Sequence, residues 1–258
     1  MKKSLKNTKF IIFDLDGIFY RGDDPIDGGK ELIYFCKNNN IDYCFLTNNS
    51  SYPLITYKEK LLTCGVEAEL EQIITTTMLL QDYLSKQSSH KIHVTGSSYL
   101  KKTLYKHFIK IPNNPNTLVL GMDENLTLLE ISQTINLIGK NTKIVAANPD
   151  KLIPKRYGYD LECGIIIDIV KKVTGKEVFI VGKPYNYAYN YIFKKFNIKA
   201  ENTIMVGDTY STDILGAINH DITAVWIETG NSLPKNIKNN DFLRLKSLFH
   251  LKEKLLIN

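Results

Sequence analysis

Two aspartates separated by one leucine, Asp14 and Asp16, follow the apolar run Phe10-Ile11-Ile12-Phe13 and precede Gly17. Carboxylates at the carboxyl end of a buried parallel strand lie where open α/β sheets bind ligands. At this spacing they can share one metal ion or one phosphoryl group. Gly17 ends the run and lets backbone approach a ligand. The blander reading is a capped strand end facing water, since aspartates often flank turns.

Three later stretches bear on that choice. Thr47-Asn48-Asn49-Ser50-Ser51 is a dense hydroxyl and amide cluster after the apolar stretch Ile41 to Leu46. Hydroxyls and backbone N–H groups at a strand end suit phosphate oxygens. Ser50 or Ser51 also reads as the N-cap of the next helix, and both roles are compatible because a helix start is itself an anion site. Lys183 stands in Val181-Gly182-Lys183-Pro184, just past a strand end. A lone lysine is usually a surface charge, yet one fixed at a strand–helix boundary is a charge partner for aspartate and phosphate. Finally, Thr203-Ile204-Met205-Val206-Gly207-Asp208 repeats the opening grammar, and Asp213 follows five residues on. A helix cap explains Asp213 or Thr212. It does not explain Asp208 on a Gly-Asp strand tip.

Asp14, Asp16, Asp208 and Asp213 would repel one another if left bare, even with Lys183 among them. A divalent cation resolves the repulsion. Hard carboxylate oxygens without His or Cys point to Mg²⁺, which binds phosphate oxygens together with one or two carboxylates. That implies phosphoryl chemistry, where positioning and charge neutralisation are most of the catalysis. One aspartate can attack phosphorus to form an aspartyl phosphate. Its neighbour can protonate the leaving oxygen and then deprotonate the hydrolytic water.

The elements that must carry these residues read as alternating strands and helices. A strand at Phe10, a loop from Ile18 to Gly29, a helix from Lys30 to Asn38 and a strand from Ile41 to Leu46 form a right-handed parallel crossover. A helix from Pro53 to Cys64 and a strand from Gln72 to Thr76 complete the first half. The middle stretch alternates again: helix Met78–Lys86, strand Lys91–Thr95, helix Gly96–Phe108, strand Thr117–Leu120, helix Leu126–Ile138, strand Lys143–Ala147 and helix Gly164–Lys172. It has no paired acids at a strand end and about the size of one domain. It therefore reads as a second α/β unit inserted into the first. Strand Val178–Val181, a helix from Pro184 to Phe196, strand Thr203–Val206, a helix opened by Asp213, strand Thr223–Ile227, a polar loop after Thr229-Gly230 and a closing helix Leu243–Leu256 finish the chain.

Composition fits this reading. The chain has 258 residues, 43% hydrophobic and 23% charged, enough apolar material for a core. Its net charge of +6 comes from scattered lysines rather than a basic run, and no nucleic-acid-binding signature accompanies it. The four cysteines, Cys36, Cys44, Cys64 and Cys163, show no metal-ligand spacing and fit reduced thiols in a cytoplasm. No stretch approaches a membrane span, and Met1-Lys2-Lys3 runs into Asp14 without a leader-like segment. The expectation is a cytoplasmic protein without nucleic-acid or membrane partners.

In this order, Phe13-Asp14-Leu15-Asp16-Gly17, Leu46-Thr47-Asn48-Asn49-Ser50-Ser51, Asn148-Pro149-Asp150, Val181-Gly182-Lys183-Pro184 and Gly207-Asp208 with Thr212-Asp213-Ile214 resemble the haloacid dehalogenase superfamily of phosphatases. The branch is class IIA, the NagD and p-nitrophenyl-phosphatase-like group. The resemblance covers nearly the whole chain. It implies a Rossmann-like parallel-sheet core, residues 1–79 and 178–258, with an inserted α/β cap, residues 80–177. Asp14 would be the nucleophile and Asp16 the general acid/base. Thr47, the Asn48 backbone and Lys183 would hold phosphate. Asp14, the Asp16 carbonyl and Asp208 would bind Mg²⁺, supported by Asp213, Asn49 and Gly17. Cap residues Asn148, Asp150 and Cys163 would bear on the leaving group of a small phosphate ester. Caps of this kind sometimes form homodimers.

Three positions depart from the family pattern: Ile18, Thr209 and Leu161-Glu162-Cys163-Gly164. None removes a catalytic group, and the last leaves specificity unassigned. A phosphomonoesterase is the leading expectation. A phosphotransferase or mutase on the same scaffold is the alternative, as is a non-catalytic phospho-receiver or phosphometabolite-binding module. Receivers lack an acid two residues after the nucleophile and carry no such insert. A dehalogenase is disfavoured by the metal-binding acids.

Overall fold

A computed structural model describes residues 5–155, 158–229, 237 and 241–257. The chain divides into two compact units. The first comprises Met1–Thr47, Leu54–Ile74 and Lys183–Asn258, and the second Asn48–Pro53 and Thr75–Gly182.

The first unit is organised by a six-stranded sheet in the order Leu243–Leu245, Thr223–Ile227, Thr203–Gly207, Phe10–Phe13, Asp42–Thr47, Ile73–Thr75. The pairings among the first five are parallel. Phe10–Phe13 lies inside the sheet, with Phe13 opposite Val206 on one side and Phe45 on the other. All four of its residues are buried, as a strand covered on both faces requires. Phe13 packs edge-on against Phe19 at 5.3 Å and stacks on Phe45 at 6.1 Å. This ring cluster joins Leu32, Ile33 and Cys36 of the helix Gly29–Asn38 in one core. The strands Phe10–Phe13, Asp42–Thr47 and Thr203–Gly207 run in the same direction in register, so Asp14, Thr47 and Asp208 emerge at one edge of the sheet.

The second unit carries a five-stranded sheet in the order Phe179–Ile180, Lys143–Ala146, Thr117–Leu120, Lys91–Thr95, Ile109–Lys110, all pairs parallel. Helices Thr76–Ser85, Ser98–Leu104, Leu128–Asn136 and Cys163–Thr174 accompany it. The last starts on Glu162, whose carboxylate accepts the Cys163 N–H, and ends on Gly175 at φ 66°.

The structure differs from the sequence reading in five places. The expected helix Gly96–Phe108 is confined to Ser98–Leu104 and is followed by the short strand Ile109–Lys110. An antiparallel hairpin, Leu152–Lys155 with Gly158–Leu161, was not expected. The expected closing helix Leu243–Leu256 is a strand, Leu243–Leu245, and a separate helix, Leu248–Ile257. The loop Ile18–Gly29 contains the short paired strands Tyr20–Arg21 and Asp24–Pro25. Phe179–Ile180 joins the second sheet, beside Lys143–Ala146. In the polar loop after Thr229, Gly230 and most residues from there to 240 lie outside the described residues. Among the described residues, no helix is long and apolar enough to cross a membrane.

Candidate active site

Lys183 is the hub of the site. Its side chain is among the largest fully buried in the protein, with 1% of the residue exposed. The ammonium bonds Asp14 Oδ1 at 2.6 Å, Asp213 Oδ1 at 2.7 Å and the Leu46 carbonyl at 3.0 Å. A buried ammonium is tolerated only when paired and hydrogen-bonded, and here the partners come from two neighbouring strands and from the turn at Tyr210–Ile214. Burial by itself would lower the lysine pKa. The charges of Asp14 and Asp213 outweigh it and hold the group well above its ordinary value.

Asp213 owes its position to an unusual turn. Residues Tyr210–Ile214 form one π-helical turn that runs into the α-helix Leu215–Asn219, and such turns recur at functional sites. The Asp213 N–H donates to the Thr209 carbonyl at 2.9 Å, and the Thr209 N–H donates to Asp213 Oδ2 at 3.1 Å. A side chain at Gly207 would place its Cβ 2.3 Å from Asp213 Cγ. Glycine there is therefore a requirement of packing. Asp213 is fully buried. Burial and the neighbouring Asp14 charge push its carboxyl well above the ordinary range.

Asp208 follows the strand Thr203–Gly207. Thr209 Oγ1 donates to its Oδ1 at 3.0 Å, and the Trp226 indole N–H donates to its carbonyl at 2.7 Å. Burial first, and the Asp14 charge second, raise its carboxyl to about 7. Gly17 faces it at φ +79°, and a Cβ there would lie 2.0 Å from Asp208 Oδ2. The Gly17 carbonyl in turn accepts the Thr229 hydroxyl.

Asp14, Asp208 and Asp213 bring carboxylate oxygens within 4.8 Å of one another, a group that could hold a metal ion. When ionised, three carboxylates against one ammonium leave two formal negative charges, the complement of one divalent cation. The all-oxygen donor set and the upward shifts of Asp208 and Asp213 fit such an ion, because a cation removes the repulsion that raises them. The Asp16 carboxylate is exposed and stands outside this trio.

Thr47 is buried at the end of its strand in the first unit. The remaining sequence-predicted residues lie in the second unit. There Asn48 Nδ2 donates to Asp150 Oδ2 at 2.9 Å, while the Asn48 carbonyl accepts from Thr76 Oγ1 and Asn148 Nδ2, each at 2.8 Å. Asn148 Oδ1 accepts the Asp150 N–H at 3.0 Å. Asn48, Asn148 and the half-buried Asp150 thus form one polar knot, and Asn49 Oδ1 closes a turn with the Ser51 N–H at 2.7 Å. Cys163 is fully buried, its thiol directed at the Leu120 carbonyl at 3.5 Å, and burial pushes it up to about 12. Its burial gives it a packing role in the second unit. The sequence reading missed Trp226 and Thr209 as partners of Asp208, and Thr229 as the partner of the Gly17 carbonyl. Their places beside the second acidic strand were the available signal, but bond directions are not written in residue types.

The sequence profile of the haloacid dehalogenase-like hydrolases matches residues 11–110, and a second, HAD-hydrolase-like profile matches residues 180–246. The chain is 30% identical over 240 residues to an acid sugar phosphatase of Staphylococcus epidermidis, covering 92% of this chain and 93% of that protein. Its structure is similar to a crystal structure of 4-nitrophenylphosphatase from Thermotoga maritima, with a TM-score of 0.89, 29% identity and coverage of 97% and 98% of the two chains. It is also similar to a putative nagD protein, with a TM-score of 0.88, 27% identity and coverage of 96% and 98%. With the acids, lysine and strand tips arranged as described, the chain belongs to the haloacid dehalogenase-like hydrolases and is a phosphatase of their class IIA, NagD-like branch.

Proposed function

We propose that this phosphatase is a Mg²⁺-dependent phosphomonoesterase of small phosphate esters, sugar phosphates among them, acting through an aspartyl phosphate on Asp14. The observation that carries the reading is the buried Lys183 ammonium held between Asp14 and Asp213. It fixes one oxygen of Asp14 and orients the other for attack on phosphorus. The substrate class is supported by the name of the staphylococcal relatives, acid sugar phosphatase.

In the first step a bond forms between Asp14 oxygen and phosphorus while the ester P–O bond breaks. Asp16, exposed at the loop, gives its proton to the departing alkoxide. In the second step Asp16 takes a proton from water as the water oxygen attacks phosphorus, and the Asp14–phosphorus bond breaks. Thr47 and the Asn48 backbone hold the phosphoryl oxygens throughout, with Lys183 neutralising part of their charge. Bound by Asp14, Asp208 and the Asp16 carbonyl, with Asp213 in support, Mg²⁺ would neutralise charge building on those oxygens. Gly17 and Asn49 keep the two loops in shape.

The test is phosphate release from a panel of sugar, nucleoside and aromatic phosphate esters, with Mg²⁺ and with excess chelator. Mg²⁺-dependent release from sugar phosphates is expected. Undiminished release in excess chelator would refute the metal assignment. Transfer to an added sugar acceptor in preference to water would move the assignment to a phosphotransferase.

A further inference from the structure

Trp226 is the single tryptophan of the chain, 4% exposed, on the strand Thr223–Ile227. In the parallel register it stands opposite Gly207, where the paired part of the neighbouring strand ends. Asp208 is the next residue, past the last backbone pairing. Its carbonyl receives the Trp226 indole N–H at 2.7 Å. The side chain of one strand thereby extends the hydrogen bonding of the sheet by one residue, over the residue that carries a site carboxylate. The bond is short and buried, and a buried indole N–H needs such a partner.

The indole is itself braced. The Arg244 guanidinium lies over its ring, 5.1 Å from the centroid, and Arg244 pairs with Glu228. Arg244 and Glu228 belong to the end of the sheet, on and beside the strands Leu243–Leu245 and Thr223–Ile227. A continuous line of contacts therefore runs from Glu228 through Arg244 and Trp226 to the backbone of Asp208. Thr209 Oγ1 holds the Asp208 carboxylate from the other end at 3.0 Å. Backbone and carboxylate are thus fixed separately, which is what a preorganised metal ligand needs.

We propose that Trp226 is a positioning residue for the metal site: its indole N–H fixes the Asp208 backbone and thereby sets the affinity of the acidic trio for Mg²⁺, and its fluorescence reports occupancy. The inference rests on the proposed Mg²⁺ dependence. Trp226→Phe deletes the N–H while keeping an aromatic ring under Arg244. A hydrogen bond of this kind corresponds to roughly a 2- to 10-fold change in an equilibrium constant.

The experiment has two arms, both using the full chain and Mg²⁺ as the probe. In the wild type, titration with Mg²⁺ should give a saturable change in tryptophan emission, absent in Asp208→Asn. In Trp226→Phe, calorimetric titration should show Mg²⁺ half-saturation raised roughly 2- to 10-fold, with substrate KM at saturating Mg²⁺ close to wild type. Arg244→Met, which removes the cation over the ring but not the N–H, should shift Mg²⁺ half-saturation less than Trp226→Phe does. Unchanged Mg²⁺ affinity in Trp226→Phe would overturn the positioning role. If that variant fails to fold, wild-type emission that ignores saturating Mg²⁺ overturns the inference, and emission that follows Mg²⁺ binding supports it. A wild type that binds no Mg²⁺ overturns the metal reading itself, and this inference with it.

Discussion

Replacing Lys183 by methionine tests how the site is held together. The side chain is nearly isosteric and stays apolar, so packing is preserved while the charge is lost. The ammonium bonds two carboxylates and a carbonyl, at 2.6, 2.7 and 3.0 Å, in a place with 1% exposure. Breaking a buried ion pair by removing one partner costs about 3–5 kcal/mol, because the other charge is left uncompensated. For a chain of this size that corresponds to a fall of roughly 6–20 °C in Tm. Thermal unfolding in chelator is the assay, with three variants: Lys183→Met, Asp213→Asn and the double change. Because the cost lies in the orphaned charge, the double variant should be more stable than Lys183→Met alone, a coupling of at least about 1 kcal/mol. The loss in Lys183→Met should also shrink at acid pH, where the buried carboxylates take up protons. A Tm within about 2 °C of wild type, or strict additivity of the two changes, would refute the view that this ammonium neutralises the acids.

Gly17→Ala should weaken Mg²⁺ binding about tenfold or more, because its Cβ would sit 2.0 Å from Asp208 Oδ2 at a φ of +79° that alanine resists; a metal titration with wild-type affinity contradicts this. The metal-free protein should lose stability as pH rises from about 4 to 7. Asp208 has a folded value of about 7 against an ordinary 3.8, so the folded state binds the extra proton and its advantage is complete below the unfolded value and gone above 7. The full effect of this one group is about 4 kcal/mol, and denaturant melts in chelator across that window measure it; a flat profile would contradict the shift. By the same linkage, Mg²⁺ binding at pH 6 should release protons, read by calorimetry in two buffers of different ionisation enthalpy.

The acids of the candidate site were legible because parallel strands covered on both faces are near-continuous apolar runs, and ligand sites lie at their carboxyl ends. Phe10–Phe13 and Thr203–Gly207 are such runs, so Asp14 and Asp208 stood out as acids directly after them. The hairpin Leu152–Lys155 with Gly158–Leu161 was not legible: Gly158–Leu161 is exposed along its whole length and shows no burial alternation. Leu243–Leu245 was read into the adjoining helix because its leucines run on toward Leu248 and Leu251 without a breaker between them, and only pairing with Thr223–Ile227 makes it a strand. The placement of Phe179–Ile180 in the second sheet is likewise a long-range pairing that local sequence does not encode. Asp213 read as a helix cap or a metal support, but its bond to Lys183 depends on the π turn at Tyr210–Ile214, which residue types do not announce.

Covalent catalysis by Asp14 can be observed as a phosphorylated enzyme. The most direct measurement is rapid acid quench during turnover of 4-nitrophenyl phosphate with Mg²⁺, followed by peptide mass spectrometry. Asp16→Asn should accumulate the intermediate, since this leaving group departs without a proton while attack by water still needs a base. Phosphate is expected on the peptide carrying Asp14, lost on chase and absent in Asp14→Asn. Steady release of phosphate by Asp14→Asn at a near-wild-type rate, or phosphate trapped on another residue, would contradict it.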